Sequence, residues 1–269
     1  MTRFFRLLAS GIAAFVLAAF PFVTGPAIAG EELSVADTGR ELAEKYRGRA
    51  PVQWGEHFPG IIDSLPPSGD AQNPASRTLA LTFDACEGGT DTRIIALLRE
   101  HKIPATIFAT NIWLRRNQTV AHDLAADPLF TLACHGKRHK PASVNGRTAY
   151  GIAGTKSIPA LVEEVEDNAR AIAAVTGKRP RWYRSGTAHY DDVAVAVIFD
   201  LGLAVAGYAL SADQGASLPA REVARNLLRA PDRAIVLMHL NHPESGTYQG
   251  LATALPTLLE KGVRFVGLE

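Results

Sequence analysis

The chain is short of several things, and each shortage closes off a class of explanation. It has only two cysteines among 269 residues, so a disulfide framework does not hold it together and a buried core must. Charge of one sign is missing. The 28 basic and 27 acidic residues leave a formal net charge of +1, without the clustered basic excess of a nucleic-acid binder. Aromatic residues make up 7% of the chain. No internal repeat and no long low-complexity tract occurs, which argues against solenoids and arrays. Past residue 30, no apolar stretch is long enough to span a bilayer.

What is present begins with a targeting pattern. Arg3 and Arg6 give a positive start, residues 7–23 are apolar apart from breaks at Ser10, Gly11 and Pro21, and Ala27-Ile28-Ala29 has the small-x-small form of a cleavage site. Pro21, Gly25 and Pro26 favour cleavage over a retained anchor. Residues 1–29 are therefore expected to be a signal peptide. The mature protein would start near Gly30, work in a periplasm or in the medium, and keep no stable membrane span.

The remainder, in a chain that is 47% hydrophobic, suffices for one sizeable core. Residues 30–76 read as an N-terminal arm. A helical pattern covers 31–49, and an irregular Pro- and Gly-rich stretch follows, carrying Trp54 and Phe58. Nothing in the arm has a catalytic look. Residues 77–269 form the main domain. Strands are expected at 78–83, 105–109, 129–133, 182–184, 203–210, 234–238 and 263–268. Helices are expected at 92–101, 117–126, 159–176 (stopped by Gly177), 191–201, 220–228 and 251–261. Short apolar strands alternating with helices predict a parallel sheet, open or closed into a barrel, with its active site at the carboxyl ends of the strands. Asp84, His135, Arg184, Asp213 and His239 all fall just past such strands.

His135 and His139 stand four residues apart; on one helical turn they would share a face and chelate one metal ion. Their basic neighbours Lys137, Arg138 and Lys140 equally suit a solvated loop. Asp84 reads as a general base or a metal ligand, or as a turn-former before Gly88-Gly89. Asp213 could orient His239 and raise its pKa toward that of a useful general acid.

Leu81-Thr82-Phe83-Asp84, His135-x3-His139, Arg181-Trp182-Tyr183-Arg184, Asp213 and Leu237-Met238-His239 stand in the order found in one family. In these motifs, and in the stretch from Gly246 to Val263, residues 77–269 resemble the polysaccharide deacetylases, the NodB-homology group or carbohydrate esterase family 4. The resemblance implies a distorted (β/α) barrel, here with an N-terminal arm. It implies a divalent metal, usually Zn2+, and an amino-sugar polymer as substrate: chitin-like, peptidoglycan or exopolysaccharide. Carried over residue by residue, it makes His135 and His139 metal ligands. Asp84 becomes the catalytic base beside the metal, Arg184 the residue that steadies it, His239 the general acid and Asp213 its tuner. A backbone N–H near Ser185 or Gly186 would help hold the oxyanion.

Three departures qualify this. Ala85 stands where the family has a second, metal-binding Asp. Asp84 could itself become the ligand, Cys86, Glu87 or Asp91 could supply it, or water could. Arg184-Ser185-Gly186-Thr187 replaces the family's Arg-Pro-Pro-Tyr. Cys86 and Cys134 flank the two metal loops. A disulfide between them is the leading reading, a Cys86 thiolate on zinc the second, and two inert thiols the third. Ala85 also leaves room for a catalytically impaired relative that binds glycans or regulates, and the scarce aromatics leave room for a non-sugar amide hydrolase.

Overall fold

The run Thr78–Ala85 is buried along its whole length and forms the spine of the molecule. In the computed structural model, which describes residues 33–67 and 77–268, it is the third strand of the chain. The expected signal peptide lies outside the described residues. In order the elements are α1 (Val35–Lys45), β1 (Trp54–Gly55), β2 (Ile61–Ile62), β3 (Thr78–Ala85), α2 (Thr92–Glu100), β4 (Ala105–Ala109), α3 (Asn111–Arg116), α4 (Gln118–Ala125), β5 (Phe130–Cys134), β6 (Thr148–Ala149), β7 (Ile152–Ala153), α5 (Ile158–Thr176), β8 (Trp182–Tyr183), β9 (Tyr190–Asp191), α6 (Asp192–Asp200), β10 (Ala204–Ala206), β11 (Leu210–Ser211), α7 (Ala220–Leu228), β12 (Ile235–His239), α8 (Thr247–Glu260) and β13 (Arg264–Phe265).

Among the described residues the main sheet has nine strands in the order β11-β12-β3-β4-β5-β8-β10-β2, with β13 against β3, and its pairings are parallel. This is the expected α/β architecture, a curled parallel sheet of the half-barrel kind. Side-chain alternation along each strand sorts residues into two cores. Leu79, Leu81, Phe83 and Ala85 of β3, Ile107 and Ala109 of β4, and Leu132 and Cys134 of β5 pack with helix residues such as Ile94, Leu98 and Leu161. Ala80, Phe108, Ala133, Ala206 and Ile235 form a separate cluster without any helix residue, on the concave side of the curl. Thr82, Asp84, His135, Arg184 and His239 share the parity of this inner set.

Helix ends follow their sequence signals. The α5 helix begins at a Ser157 cap and stops at Gly177, which takes φ 71, the left-handed conformation that glycine adopts without steric penalty. Asp191 caps α6 by accepting from the Ala194 N–H. The expected helix at 117–126 is preceded by a further short helix, α3, capped by the Thr110 hydroxyl. None of the described helices is long and apolar enough to cross a membrane.

The arm does more than pack on the domain. Its α1 lies on α5, β1 pairs antiparallel with β9, and β2 adds to the sheet beside β10, Ile61 opposite Val205. Just past β2, the Ile235 N–H donates to Asp63 O at 3.2 Å and the Leu65 N–H to Arg233 O at 2.8 Å. The arm thereby joins the β10 edge to β12 and closes the curl. This also corrects the single strand expected at 203–210. The chain divides there into β10 and β11 because the arm passes against Gly207, where a Cβ would lie 1.9 Å from Asp63 Oδ1.

Candidate functional site

Asp84 ends the inner face of β3 and is buried. Its Oδ1 accepts from the Arg184 guanidinium at 2.8 Å, and its Oδ2 lies 3.5 Å from His135 Nε2. Burial by itself would raise the Asp84 carboxyl. The Arg184 guanidinium that donates to it and the nearby His239 offset this, so its pKa falls below the ordinary carboxylate value and the group stays ionised. Arg184 is fully enclosed. It donates also to Thr82 Oγ1 at 2.9 Å and to Gly207 O at 2.8 Å, and its guanidinium lies 4.2 Å above the Phe108 ring centroid. A buried charge this well satisfied is a positioning device for the carboxylate it faces.

His135 is buried, and its Nδ1 donates to the Arg184 carbonyl at 2.9 Å. Burial keeps the ring neutral, with its pKa below the usual value, so the Nε2 lone pair points toward Asp84 and Cys86. The two histidines are not on a helical turn, as the spacing had suggested. They sit in a loop where His139 takes φ 60, and the rings meet edge-on with centroids 4.9 Å apart. Gly186 makes the loop possible, because a Cβ there would fall 2.3 Å from the His139 carbonyl carbon and oxygen. Burial depresses His139 to about 3. Its Nε2 is buried without a partner.

Two α5 residues that sequence reading passed over hold this loop. Asn168 Oδ1 accepts from the His135 N–H at 2.8 Å and from the Gly136 N–H at 2.9 Å. One turn earlier, Glu164 accepts from the Arg138 N–H at 2.8 Å and the Lys140 N–H at 3.2 Å. The signal was available: two polar residues four apart on the buried face of an amphipathic helix. Neither belongs on an apolar stripe unless it serves a backbone.

Across the mouth, His239 Nδ1 donates to Asp213 Oδ1 at 3.0 Å. Asp213 Oδ2 accepts from the His239 N–H at 2.8 Å and from the Thr247 hydroxyl at 2.9 Å. Burial works to lower the His239 pKa, but Asp213 and then Asp84 overcome it and the net shift is upward. Asp84, His139 and His239 line one cavity of about 520 Å³. A second cavity, about 340 Å³, opens near the start of β5 and β8 and holds none of them.

The larger cavity contains residues the sequence did not single out. Glu56 comes from the arm, Tyr150 from the β6–β7 hairpin, and Tyr208 from the β10–β11 break. Tyr150 is 74% exposed, and its hydroxyl donates to Glu56 at 3.0 Å. The cavity thus carries two aromatic rings, in a chain with few of them. Thr187 lines the same space with a buried, unpartnered hydroxyl. Glu87 is in neither the cavity lining nor the donor cluster described next. Asp91 caps α2 and pairs with Arg93 at 2.8 Å. His189 lies against Trp54 and Tyr150, and His242 meets Glu244 at 2.9 Å. The Ser185 N–H expected near the oxyanion is already donated to the Tyr190 hydroxyl at 2.9 Å.

The residues suit a divalent metal. Cys86 Sγ and one ring nitrogen from each of His135 and His139 lie within 4.8 Å of one another. No equally tight donor group among the described residues includes Asp84. The expected disulfide is absent, both cysteines being free. Cys134 packs in the helix-side core, whereas Cys86 opens into the cavity, so strand alternation points them to opposite faces of the sheet.

A sequence comparison with curated proteins finds no match. Among solved structures, the chain is similar to BA3943, described as a CE4 family pseudoenzyme from Bacillus anthracis. The TM-score is 0.61 at 23% identity, covering 73% of this chain and 65% of that one; this chain therefore spans just under two thirds of that protein's length. It is similar also to PdaA of Bacillus subtilis, a family 4 carbohydrate esterase, with TM-score 0.60, 18% identity, and 85% and 86% of the two chains covered. A third is Bc1960, a peptidoglycan N-acetylglucosamine deacetylase, with TM-score 0.61, 17% identity, and 72% and 88% covered. At such identities these likenesses establish the fold alone. The sequence model of the polysaccharide deacetylases matches residues 71–206, half of the chain, ending before Asp213 and His239. On that match, and with the fold agreeing, the chain belongs to the polysaccharide deacetylase family, hydrolases that act on amide C–N bonds.

Proposed function

We propose that this protein is an exported, metal-dependent deacetylase that removes N-acetyl groups from an amino-sugar polymer. One observation carries the reading: ionised Asp84, clamped by Arg184, faces His135 on one side of a cavity whose other side presents His239 backed by Asp213. His135 and His139 would hold the metal. When bound, it would polarise the acetamide carbonyl and acidify a water. Asp84 takes the proton of the attacking water, and its buried Arg184 partner keeps it ionised and in place for that role. His239 uses Nδ1 on Asp213, which leaves Nε2 to protonate the departing amine. Tyr150 and Tyr208 offer faces for sugar rings, and the Thr187 hydroxyl offers a partner for a polar group of the substrate.

Export rests on the leader pattern at residues 1–29, and a periplasmic or secreted location on the same pattern. Peptidoglycan is one candidate polymer, since Bc1960 is described as acting on it; chitin-like chains and exopolysaccharide are others. The test is acetate release from N-acetylglucosamine polymers by purified protein, with metal content measured on the same sample. Metal and acetate together support the reading. Metal without acetate from any glycan would point to a non-sugar amide.

A second reading is a catalytically impaired relative that binds glycans or regulates. Ala85 favours it, and BA3943 is described as a pseudoenzyme. Metal-free, inactive protein that still binds the polymer would decide for it.

A further inference from the structure

Ala85 looks like a gap in the metal site only when the sequence is read linearly. In the structure its side chain is fully buried and belongs to the helix-side core, as Phe83 of the same strand does. A ligand at that position on this strand would face away from the histidines. The next residue has the opposite parity. Cys86 opens into the cavity, its Sγ 3.5 Å from His135 Nε2. Its backbone is fixed on both sides: the Thr110 hydroxyl donates to Cys86 O, and the Cys86 N–H reaches Asn241 Oδ1 at 3.5 Å.

We propose that Cys86 is the third metal ligand, its thiolate replacing the family's second carboxylate in a Cys-His-His site that prefers thiophilic cations such as zinc. The inference rests on the metal-dependent reading above and deepens it. The sulfur and the two ring nitrogens already lie within 4.8 Å of one another. The His139 Nε2 is buried with no partner, and His135 keeps Nε2 unprotonated by donating from Nδ1 to the Arg184 carbonyl. The contact that competes at these donor atoms is the weak one between Cys86 Sγ and His135 Nε2 at 3.5 Å, which a shared metal would replace. Asp84 gives its Oδ1 to Arg184 and keeps only Oδ2, 3.5 Å from His135 Nε2, toward the site. Ligation by sulfur therefore leaves the carboxylate as base and removes the conflict between its two possible roles. Binding breaks the Cys86 S–H bond, forms a sulfur–metal bond and releases the proton to solvent; nothing is oxidised or reduced. Thiolate and imidazole favour zinc or cobalt over manganese or magnesium, which carboxylates accept more readily.

The test is cobalt(II) added to the purified, metal-stripped protein, read by absorption. The expected result is visible ligand-field bands together with a near-ultraviolet thiolate-to-cobalt charge-transfer band. Cys86→Ser loses the charge-transfer band and binds cobalt about 100-fold more weakly, at the upper end of what even outer-shell changes cost. Cys134→Ser keeps both. Cys86→Asp keeps the visible bands without charge transfer and narrows the zinc-over-manganese preference. Circular dichroism checks that each variant is folded. Visible bands without charge transfer in the unaltered protein, or unchanged cobalt affinity in Cys86→Ser, would overturn the ligand assignment and leave the hydrolase reading standing. Failure of the unaltered protein to take up cobalt or zinc at all would overturn both.

Discussion

Arg184 holds Asp84 across 2.8 Å inside the barrel mouth, with the arginine sealed from solvent. Removing one partner leaves the other charged and buried. Arg184→Leu is therefore expected to lose about 3–5 kcal/mol of stability, read from the denaturant midpoint. A stability within error of the parent would show that the pair is solvated. Asp84→Asn should cut turnover by about 10²–10⁴-fold, the usual worth of a general base, while the metal stays bound. Loss of the metal in this variant would make Asp84 a ligand after all.

The pair of His239 and Asp213 sets a pH limit. Burial lowers the His239 pKa and Asp213 raises it, with a net upward result. The acid form therefore persists to higher pH than in an isolated imidazole, and activity requiring that form is lost as pH rises through the raised value. Asp213→Asn removes the larger part of the upward push and leaves the burial and the smaller contribution of Asp84. The alkaline limb of kcat should move to lower pH, and His239→Ala should abolish that limb along with most turnover. An unmoved alkaline limb in Asp213→Asn would assign it to another group.

Gly186 makes a geometric prediction. An alanine Cβ there would fall 2.3 Å from the His139 carbonyl carbon and oxygen, so the backbone must move. Gly186→Ala should lose about 1–3 kcal/mol, as overpacking does, and should weaken metal binding through the displaced His139. Equal metal affinity in both proteins would mean the loop tolerates the shift.

Asn168 separates scaffold from chemistry. It is fully buried and accepts two N–H groups of the His135 loop. Asn168→Leu leaves the Gly136 N–H unsatisfied, at roughly 1–3 kcal/mol, and the His135 N–H with only its 3.3 Å bond to Ala109 O. The loss should appear in thermal melts of metal-stripped and metal-loaded protein alike. A loss confined to the loaded form would contradict a scaffold role.

Much of the site was legible because strand ends are legible. Apolar runs stopping at Asp84, His135, Arg184 and His239 placed four side chains on one rim, and the structure brings them there. The His135–His139 spacing suggested a helical turn, but the backbone makes a loop with His139 left-handed, a geometry secured by Gly186 from a distant segment. The cysteine pair was misjudged for a related reason. Nearness in sequence to two neighbouring loops says little, whereas parity along β3 and β5 puts Cys86 and Cys134 on different faces. In the sequence the arm looks like a segment that merely packs on the domain, because its two-residue strands have no periodicity to detect. Asn168 and Glu164 were readable in principle, as polar residues on a buried helical stripe, yet the backbone they serve is set only by the fold.

The barrel owes its closure to residues 61–65, which precede the stretch that sequence patterns mark as catalytic. A protein shortened to start at residue 77 would bare the β10 edge beside Val205 and leave the Ile235 N–H and the Arg233 carbonyl without the arm groups they bond. Such an open edge invites pairing between molecules. The shortened protein should therefore be lost to aggregation before its chemistry could be assayed, and trimming to the recognisable motifs would discard the piece that keeps the mouth in shape.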